Sequence, residues 1–589
     1  MNPLPRLRAF VVVMIAVSAL MAAPVSYAQG QLEDPGPGKG APIVQPNFGS
    51  DIVTLNPILV QDGASGDVVA HLFPAFVGGD PDTGLPVPGA RGAIVKDWKV
   101  SQDGLTYTFT LRTDWKWSDG TPITSADVKY AYDAVASGKV ESNLSAFIDN
   151  IASVEAPDAT TVVVKYKALD CAAILTAANL LVVPSEKYKQ VYPSFDQMKA
   201  DNDYNLKPTV TAGDFKFANF RPGEQVTLEA DQNYPDALAG HVIPQGWIYK
   251  TVADQSLGVD QFLAGNVTYI PSVPESRVDE LKALADQGKV KYNELPASTR
   301  HILMFNTADP NNPKDGKDKD GKILDQGHHP IFGDVRVRQA FALSVDHDAL
   351  NKGAFNGRGI AIGTPVLPDT WAYDADVKPW PYDPDRAAKL LDEAGFVKDP
   401  SNPDGPRIAN DKALYAKPGT KLEFTLTAFP GNPSVDAANV LMQDQVKRTG
   451  FKMNIESIEF QTAVKKVLSQ KFDAATFFLG MSRNNPGDTM LSQNGLKGDL
   501  VGNGLNAGSW YNKEFNDVLE KSQSLPGCDM AERKKLIDRA QEIFHDEVPW
   551  YLVNYSMVPF VAQANLKNYA PKRFGVEWNL DAWFLPAAR

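Results

Sequence analysis

At 589 residues the chain is too long for one core and is expected to divide into two or three folded units. Hydrophobic residues make up 43% and charged residues 22%, the balance of a soluble globular protein, which excludes extended disorder. The formal net charge of −13, with no basic tract, excludes a polyanionic partner such as nucleic acid.

The first 28 residues differ from the rest. Arg6 and Arg8 precede the apolar stretch Ala9 to Ala23, and Ser26-Tyr27-Ala28 offers small residues at a cleavage position, so residues 1–28 read as a secretory signal peptide. The apolar stretch is shorter than the ~20 residues of a membrane-spanning helix. Polar Gly- and Pro-rich sequence follows it over residues 29–50, a loose mature terminus. Loss of Arg6 and Arg8 with the leader takes the net charge from −13 to −15. No cysteine follows the leader directly, so an exported protein without a lipid anchor is expected.

Further along, Leu105, Tyr107, Phe109, Leu111, Trp115 and Trp117 alternate with Thr106, Thr108, Thr110 and Arg112, the two-residue period of a half-buried strand. Ser118-Asp119-Gly120 supplies a turn, and Thr124 or Ser125 can cap a helix whose Val128, Ala131, Tyr132 and Val135 share one face, with Gly138 as its stop. Asp309 to Pro330 is a polar insertion. Its Asp315, Asp318, Asp320 and Asp325 partly match the alternate carboxylates of a calcium loop, but no Glu closes the pattern and a solvated surface loop is the competing reading. His328-His329 in the same segment reads as surface, since no further metal ligands can be identified for it.

Asp383 and Pro384 predict a helix start, Ala387, Leu390, Leu391 and Ala394 its buried face, and Gly395 its end. Leu422, Phe424 and Leu426 alternate as a strand, residues 434–449 read as a helix closed by Gly450, and Phe451, Met453 and Ile455 alternate again. A helix over roughly 461–470 then leads into the apolar run Phe472 to Leu479, which together predict an α/β layer with a partly parallel sheet. Cys171 and Cys528, so far apart and expected in different lobes, are read as unpaired thiols. G-x-S-x-G, H-E-x-x-H and P-loop patterns are absent, which removes the usual nucleophile, zinc and phosphate signals. A secreted hydrolase remains an alternative class, because a glycosidase's carboxylate pair leaves no fixed spacing in sequence.

Six segments carry a resemblance. They are "TLNPILVQDGASGDVVAHLFPAF" at 54–76, the stretch from Trp98 to Val135 containing "WSDGTPITSADVKYAYDAV", "TAGDFKFANFRPGEQVTLEADQNY" at 211–234, "FGDVRVRQAFALSVDHDAL" at 332–350, "YDPDRAAKLLDEAGF" at 382–396 and "ERKKLIDRAQEIFHDEVPWY" at 532–551. In this order and spacing they resemble the extracytoplasmic solute-binding proteins of ABC importers, in the branch of oligopeptide, dipeptide and nickel carriers. The resemblance implies an α/β fold of the large, three-subdomain periplasmic-binding-protein form, with two lobes, mixed sheets and a hinge. It assigns 29–75, 210–300 and 555–589 to lobe I, 76–209 to its small subdomain, and 301–554 to lobe II. The turn at 117–135 then has a packing role.

The resemblance also implies a solute, foremost an oligopeptide, held in the interlobe cleft and handed to a membrane permease by a periplasmic monomer that needs no cofactor. An oligosaccharide or other non-peptide solute is the alternative. The strand ending near "FDAATFFLGMSRNNPGDT" would enter the cleft. There Ser482 stands where the peptide carriers place an Asp for the peptide amine, and Leu479 where they present Trp. An amine without a carboxylate partner loses a charge-assisted hydrogen bond and keeps its desolvation cost. Phe478, Met481, Ser482, Arg483, Asn484 and Asn485 are therefore the candidate ligand contacts, with Arg483 suited to a carboxylate or phosphate and an exposed loop arginine as the other reading. Trp371, Trp380 and Trp510 are candidate stacking platforms that could equally be core.

Overall fold

The computed structural model describes residues 32–586, apart from 49–50, 143, 146–147, 200–201, 253 and 431; the expected signal peptide lies outside the described residues. Backbone hydrogen bonding groups the longer strands into three sheets. In the first, Ile43–Phe48 runs parallel to Gly246–Val252, which pairs antiparallel with Gln225–Ala230, itself paired with Phe215–Arg221. The second is an antiparallel sheet in the order Val95–Val100, Thr106–Leu111, Thr161–Tyr166, Ile151–Asp158. These two sheets share one core, in which Ile43, Phe109, Val162, Phe215, Trp247 and Trp583 are all buried.

The turn after Thr106–Leu111 joins them. Asp119 Oδ1 accepts the Thr121 amide at 2.9 Å, Gly120 takes φ +87°, and the helix Ser125–Ala136 begins behind the N-cap Thr124. Asp127, at the third helical position, is buried and closes the capping box. Its carboxylate also accepts Trp117 Nε1 at 3.3 Å and the Ser185 amide and hydroxyl at 2.9 and 2.7 Å. On the strand side the Ser118 amide donates to Thr211 O at 2.8 Å and Trp115 Nε1 to Ala212 O at 2.9 Å. The helix buries a wider face than its sequence predicts. Tyr130 and Ala134 pack on Tyr188 and Tyr192 in a small second core, while Val128 faces the main one.

The third sheet is mixed, in the order Lys452–Ser457, Glu423–Ala428, Ala474–Gly480, Val290–Phe305, Trp550–Gln563, Tyr269–Ile270. The expected strand-helix-strand unit is present: Glu423–Ala428 and Lys452–Ser457 pair in parallel across the helix Pro433–Lys447, and Ala474–Gly480 adds a further parallel neighbour. The helix Pro384–Glu393 begins as read, Asp383 accepting the Arg386 amide, and ends at Gly395, where φ is +87° and an added Cβ would stand 2.4 Å from the Ala413 nitrogen. Alternation along the central strands sorts side chains to two cores. Leu303, Phe305 and Phe424 face the helices that carry Val337, Leu391 and Ala438, whereas Ile302, Met304 and Leu552 face those that carry Met490, Phe515 and Ile537.

At their far end Val290–Phe305 and Trp550–Gln563 reach a further core in which Val290 and Val561 pack with Phe262 and Leu281, with Val44 and Phe48 of the first sheet against it. Their antiparallel register runs from Val290↔Gln563 to Pro296↔Met557, breaks, and resumes at Arg300↔Tyr555.

Two sequence expectations change. Cys171 and Cys528, read as unpaired, form a disulfide, with Cα atoms 5.3 Å apart. Spacing in sequence carried no trace of this, because the pair is brought together by a tertiary contact in which the Cys171 amide donates to Gln523 O at 2.7 Å. The 29–50 segment, read as a loose terminus, supplies the strand Ile43–Phe48, whose Ile43 is buried in the first core; the 309–330 insertion remains a surface loop, held where the Gly316 amide donates to Asp499 O at 2.8 Å and the Val501 amide to Asp315 Oδ1 at 2.7 Å. Among the described residues no helix is long and apolar enough to cross a membrane.

Asp127→Ala leaves the Trp117, Thr124 and Ser185 donors buried without an acceptor, and is expected to cost about 3 kcal/mol. The urea midpoint of the transition reporting on Trp115 and Trp117 should fall accordingly; a midpoint equal to wild type would show that the carboxylate is dispensable.

Candidate functional site

The strand Ala474–Gly480 leaves the sheet alongside Val290–Phe305, with Arg300 opposite Leu479 and Thr299 opposite Gly480. The chain then turns. The Met481 amide donates to Ser298 O at 3.0 Å, the Asn485 amide to Ser482 Oγ at 3.1 Å, and Pro486, at the first helical position, starts the helix Pro486–Asn494. Ser482 is thus held at the tip of the turn and exposed, while Met481 is buried.

Arg483 is already paired. Its Nε donates to Asp369 Oδ2 at 2.6 Å, and its Nη2 donates to the carbonyls of Pro296 and Ala297 at 3.0 and 2.6 Å. Asp369, which is 6% exposed, also accepts Arg573 Nε at 3.0 Å and Tyr555 Oη at 3.2 Å. Phe574 lies under both guanidinium groups, at 5.5 Å from Arg483 and 5.2 Å from Arg573. Asn484 Nδ2 donates to Gly84 O at 2.6 Å. Gly84 has no room for a side chain: φ is +72° and an added Cβ would stand 2.6 Å from the Phe574 ring. Segments from widely separated parts of the chain therefore meet at one place, where the sheet bearing Ala474–Gly480 faces the loop bearing Gly84.

Behind Phe574 lies a cavity of about 260 Å³ lined by His71, Asp214 and Glu577. His71 Nδ1 is 3.1 Å from Asp214 Oδ1 and Nε2 is 3.6 Å from Glu577 Oε2, with the ring stacked on Trp247 at 5.0 Å. Burial works against the imidazolium, but the two carboxylates together outweigh it and push the pKa up to about 10, so the ring is charged at neutral pH. Burial and the Glu577 charge push the neighbouring Asp67 carboxyl up to about 6. His301, beside the turn, behaves oppositely: burial pushes it down to about 3, and its Nε2 pairs with Thr476 Oγ1 at 2.7 Å. Phe478 stacks on that neutral ring at 4.9 Å and stays 38% exposed.

Of the candidate residues, the structure gathers Phe478, Met481–Asn485 and Trp371. Trp371 Nε1 donates to Asn484 O at 3.2 Å and so braces the turn from below. Trp510 is buried against Phe515 and Phe544, and Trp380 stacks on His545 at 4.8 Å, so both rings are committed to packing. Asp369, Arg573, Phe574 and Gly84 escaped sequence reasoning, since each is a single residue in a turn with no periodic neighbour. The four carboxylates considered for an ion do not converge. Asp318 Oδ1 accepts the amides of Asp320 and Lys322, Asp325 Oδ1 that of Gly327, and Asp315 that of Val501. Among the described residues no three His, Cys, Asp or Glu side chains could hold a metal. His328 stacks on Tyr415 at 3.9 Å, and His329 Nδ1 accepts the amides of Ile331 and Phe332.

The chain belongs to the bacterial extracellular solute-binding proteins, family 5, whose middle-region model matches residues 90–499. It is 23% identical to the oligopeptide-binding protein AppA of Bacillus subtilis over 98% of both chains, and 26% identical to di/tripeptide-binding protein 2 of Pseudomonas aeruginosa over 87% of this chain and 90% of that one. The AppA structure, in complex with a nonapeptide, superposes with a TM-score of 0.71 at 21% identity, covering 94% of this chain and all of that one. The protein is an extracellular solute-binding component of ABC importers, and its activity is binding, not catalysis.

A pKa raised in the fold stabilises it fully below the unfolded value of 6.5, and that contribution is lost as pH rises through about 10. Wild-type stability relative to His71→Gln should therefore decline between those limits. Chemical denaturation across that range, with the His71 ring followed by NMR, checks it; a parallel pH profile for the two proteins would show that His71 is neutral in the fold.

Proposed function

We propose that the chain captures an oligopeptide between two lobes and delivers it to the permease of an ABC importer, acting as a periplasmic monomer whose leader has been removed and that carries no lipid anchor. Lobe I comprises 29–75, 210–300 and 555–589 with the small subdomain 76–209, and lobe II comprises 301–554. The separation of the cores supports this division, since Phe109, Trp247 and Trp583 share one core while Val337, Leu350, Met490, Phe515 and Ile537 belong to the cores on the faces of the six-stranded sheet. The hinge is the pair Val290–Phe305 and Trp550–Gln563, at the register break between Pro296 and Arg300.

The observation that carries the reading is the contact across the junction: the Asn484 side chain to the Gly84 carbonyl and Arg573 to Asp369 join the two sides at the mouth of the turn. Closure that forms such pairs only when solute is enclosed would favour one arrangement of the lobes over another. The names of the relatives favour a peptide: one binds oligopeptides, another di- and tripeptides, and the AppA structure holds a nonapeptide. The turn offers a peptide amine no free carboxylate, since Ser482 is neutral and Asp369 is engaged by two arginines. Selection in this protein therefore rests on neutral hydrogen bonds from Ser482, Asn484 and Asn485 and on the exposed face of Phe478.

Thermal unfolding with pooled peptides and pooled oligosaccharides, followed by mass spectrometry of the solute, tests the function. A peptide should raise Tm and be recovered unchanged; a response confined to oligosaccharides overturns the peptide reading, and recovered hydrolysis products overturn the binding role. Ser482→Asp is expected to tighten binding of free-amine peptides about tenfold and to leave their N-acetylated forms unaffected. Equal affinity of both variants for the free-amine set would remove Ser482 from the amine position.

A further inference from the structure

The disulfide joins the two units. Cys171 lies between the strand Thr161–Tyr166 and the helix Ala173–Ala178, and Ala173 and Ala177 pack in the same core as Phe109 and Trp247. Cys528 lies in the turn between the helices Lys513–Gln523 and Met530–Glu547, whose Phe515, Leu519 and Ile537 pack beneath the six-stranded sheet. The bond spans 357 residues of sequence and connects cores that are also linked by the paired strands at 290–305 and 550–563 and by the polar contacts of Asn484 with Gly84 and of Arg573 with Asp369.

Its surroundings lead directly to the candidate ligand turn. Gln523, whose carbonyl accepts the Cys171 amide, places its side chain against Gly487, where an added Cβ would stand 2.5 Å from Gln523 Nε2. Gly487 is the second residue of the helix that begins after Asn485. A second path runs through Arg533, whose Nε donates to Ser522 O at 2.9 Å and whose guanidinium lies 5.4 Å over Trp371, the ring that supports Asn484.

We propose that Cys171–Cys528 is an interlobe latch: while it is oxidised the rim beside the ligand turn stays joined, and its reduction frees that rim and speeds solute exchange. The inference rests on the two-lobe reading above. The mechanical argument is geometric. A disulfide tolerates Cα separations up to about 6.8 Å, and the pair already stands at 5.3 Å, so rotation about the hinge strands cannot part the lobes at this point. An oxidised molecule is closed on two sides, by the strands and by the bond, and solute must pass through what remains. Release follows ordinary thiol-disulfide exchange. A thiolate of an external dithiol attacks one sulfur and expels the other as a thiolate; the second thiol of the reagent then breaks the mixed disulfide. Cys171 and Cys528 each end as a protonated thiol, and the dithiol, having given two electrons, ends as a cyclic disulfide.

The test compares the full mature chain as purified, the same protein reduced with dithiothreitol, and Cys171→Ser/Cys528→Ser. Small-angle scattering without added solute should give a larger radius of gyration for the reduced protein and the double variant than for the oxidised one. A pooled fluorescent nonapeptide probe should dissociate at least tenfold faster from the reduced protein and the double variant than from the oxidised protein, and dithiothreitol should leave the double variant unchanged. Reoxidation of the reduced protein should restore the slow rate, which separates release of the latch from damage to the fold. Equal scattering and equal release in both redox states overturn the latch, as does alkylation showing free thiols in freshly purified protein. If no probe binds, the peptide reading fails and the scattering arm still decides the latch; if probe binds and leaves at one rate in every form, the latch fails and the binding role stands.

Discussion

Two antiparallel strands, Val290–Phe305 and Trp550–Gln563, hold the molecule together. Their ladder belongs to the six-stranded sheet at one end and reaches the core around Phe262 and Val561 at the other. A paired backbone resists stretching and shear, yet it bends where the register slips, because residues there are released from the regular pattern of bonds. The slip between Pro296 and Arg300 stands at the candidate cleft, next to the carbonyls of Pro296 and Ala297 that hold Arg483. Flexure of the ladder and positioning of the candidate ligand turn are therefore coupled through the Arg483 side chain and through the Met481 amide on Ser298 O.

The charges around that point are shared among protein groups. Asp369 is buried and serves two guanidinium groups at once, a single negative charge against two positive ones, so the cluster keeps a net positive charge. Deeper in, His71 stays cationic between two carboxylates, while His301 stays neutral against Phe478. The junction thus carries an excess of positive charge at Arg483 and Arg573, while the candidate turn itself presents hydroxyl, amide and aromatic groups.

Local grammar made much of this fold readable. The corner at 117–135 was legible because its strand alternation, Asx turn and capping residues fall within one stretch, and the helix Pro384–Glu393 because Asp383, Pro384 and Gly395 mark both ends. The parallel unit at 423–457 followed from a change of period at each boundary. Pairings between distant residues left no such mark. Cys171 meets Cys528 across 357 positions and Arg573 meets Asp369 across 204, and periodicity reports which face a residue occupies, never what lies opposite. For the same reason Trp380 and Trp510 could be recognised as large rings but not assigned to the interior, and the second buried face of the 125–136 helix, against Tyr188, was invisible from its own sequence.

Ile43 and Trp583 occupy the same core. Nearly the whole polypeptide must emerge from the ribosome before that interior can be sealed, so the opening strands wait, unprotected, for a tail made last. Long-range closure of this kind is slow. For an extracellular protein, the first core therefore stays open until the far end of the chain has joined it.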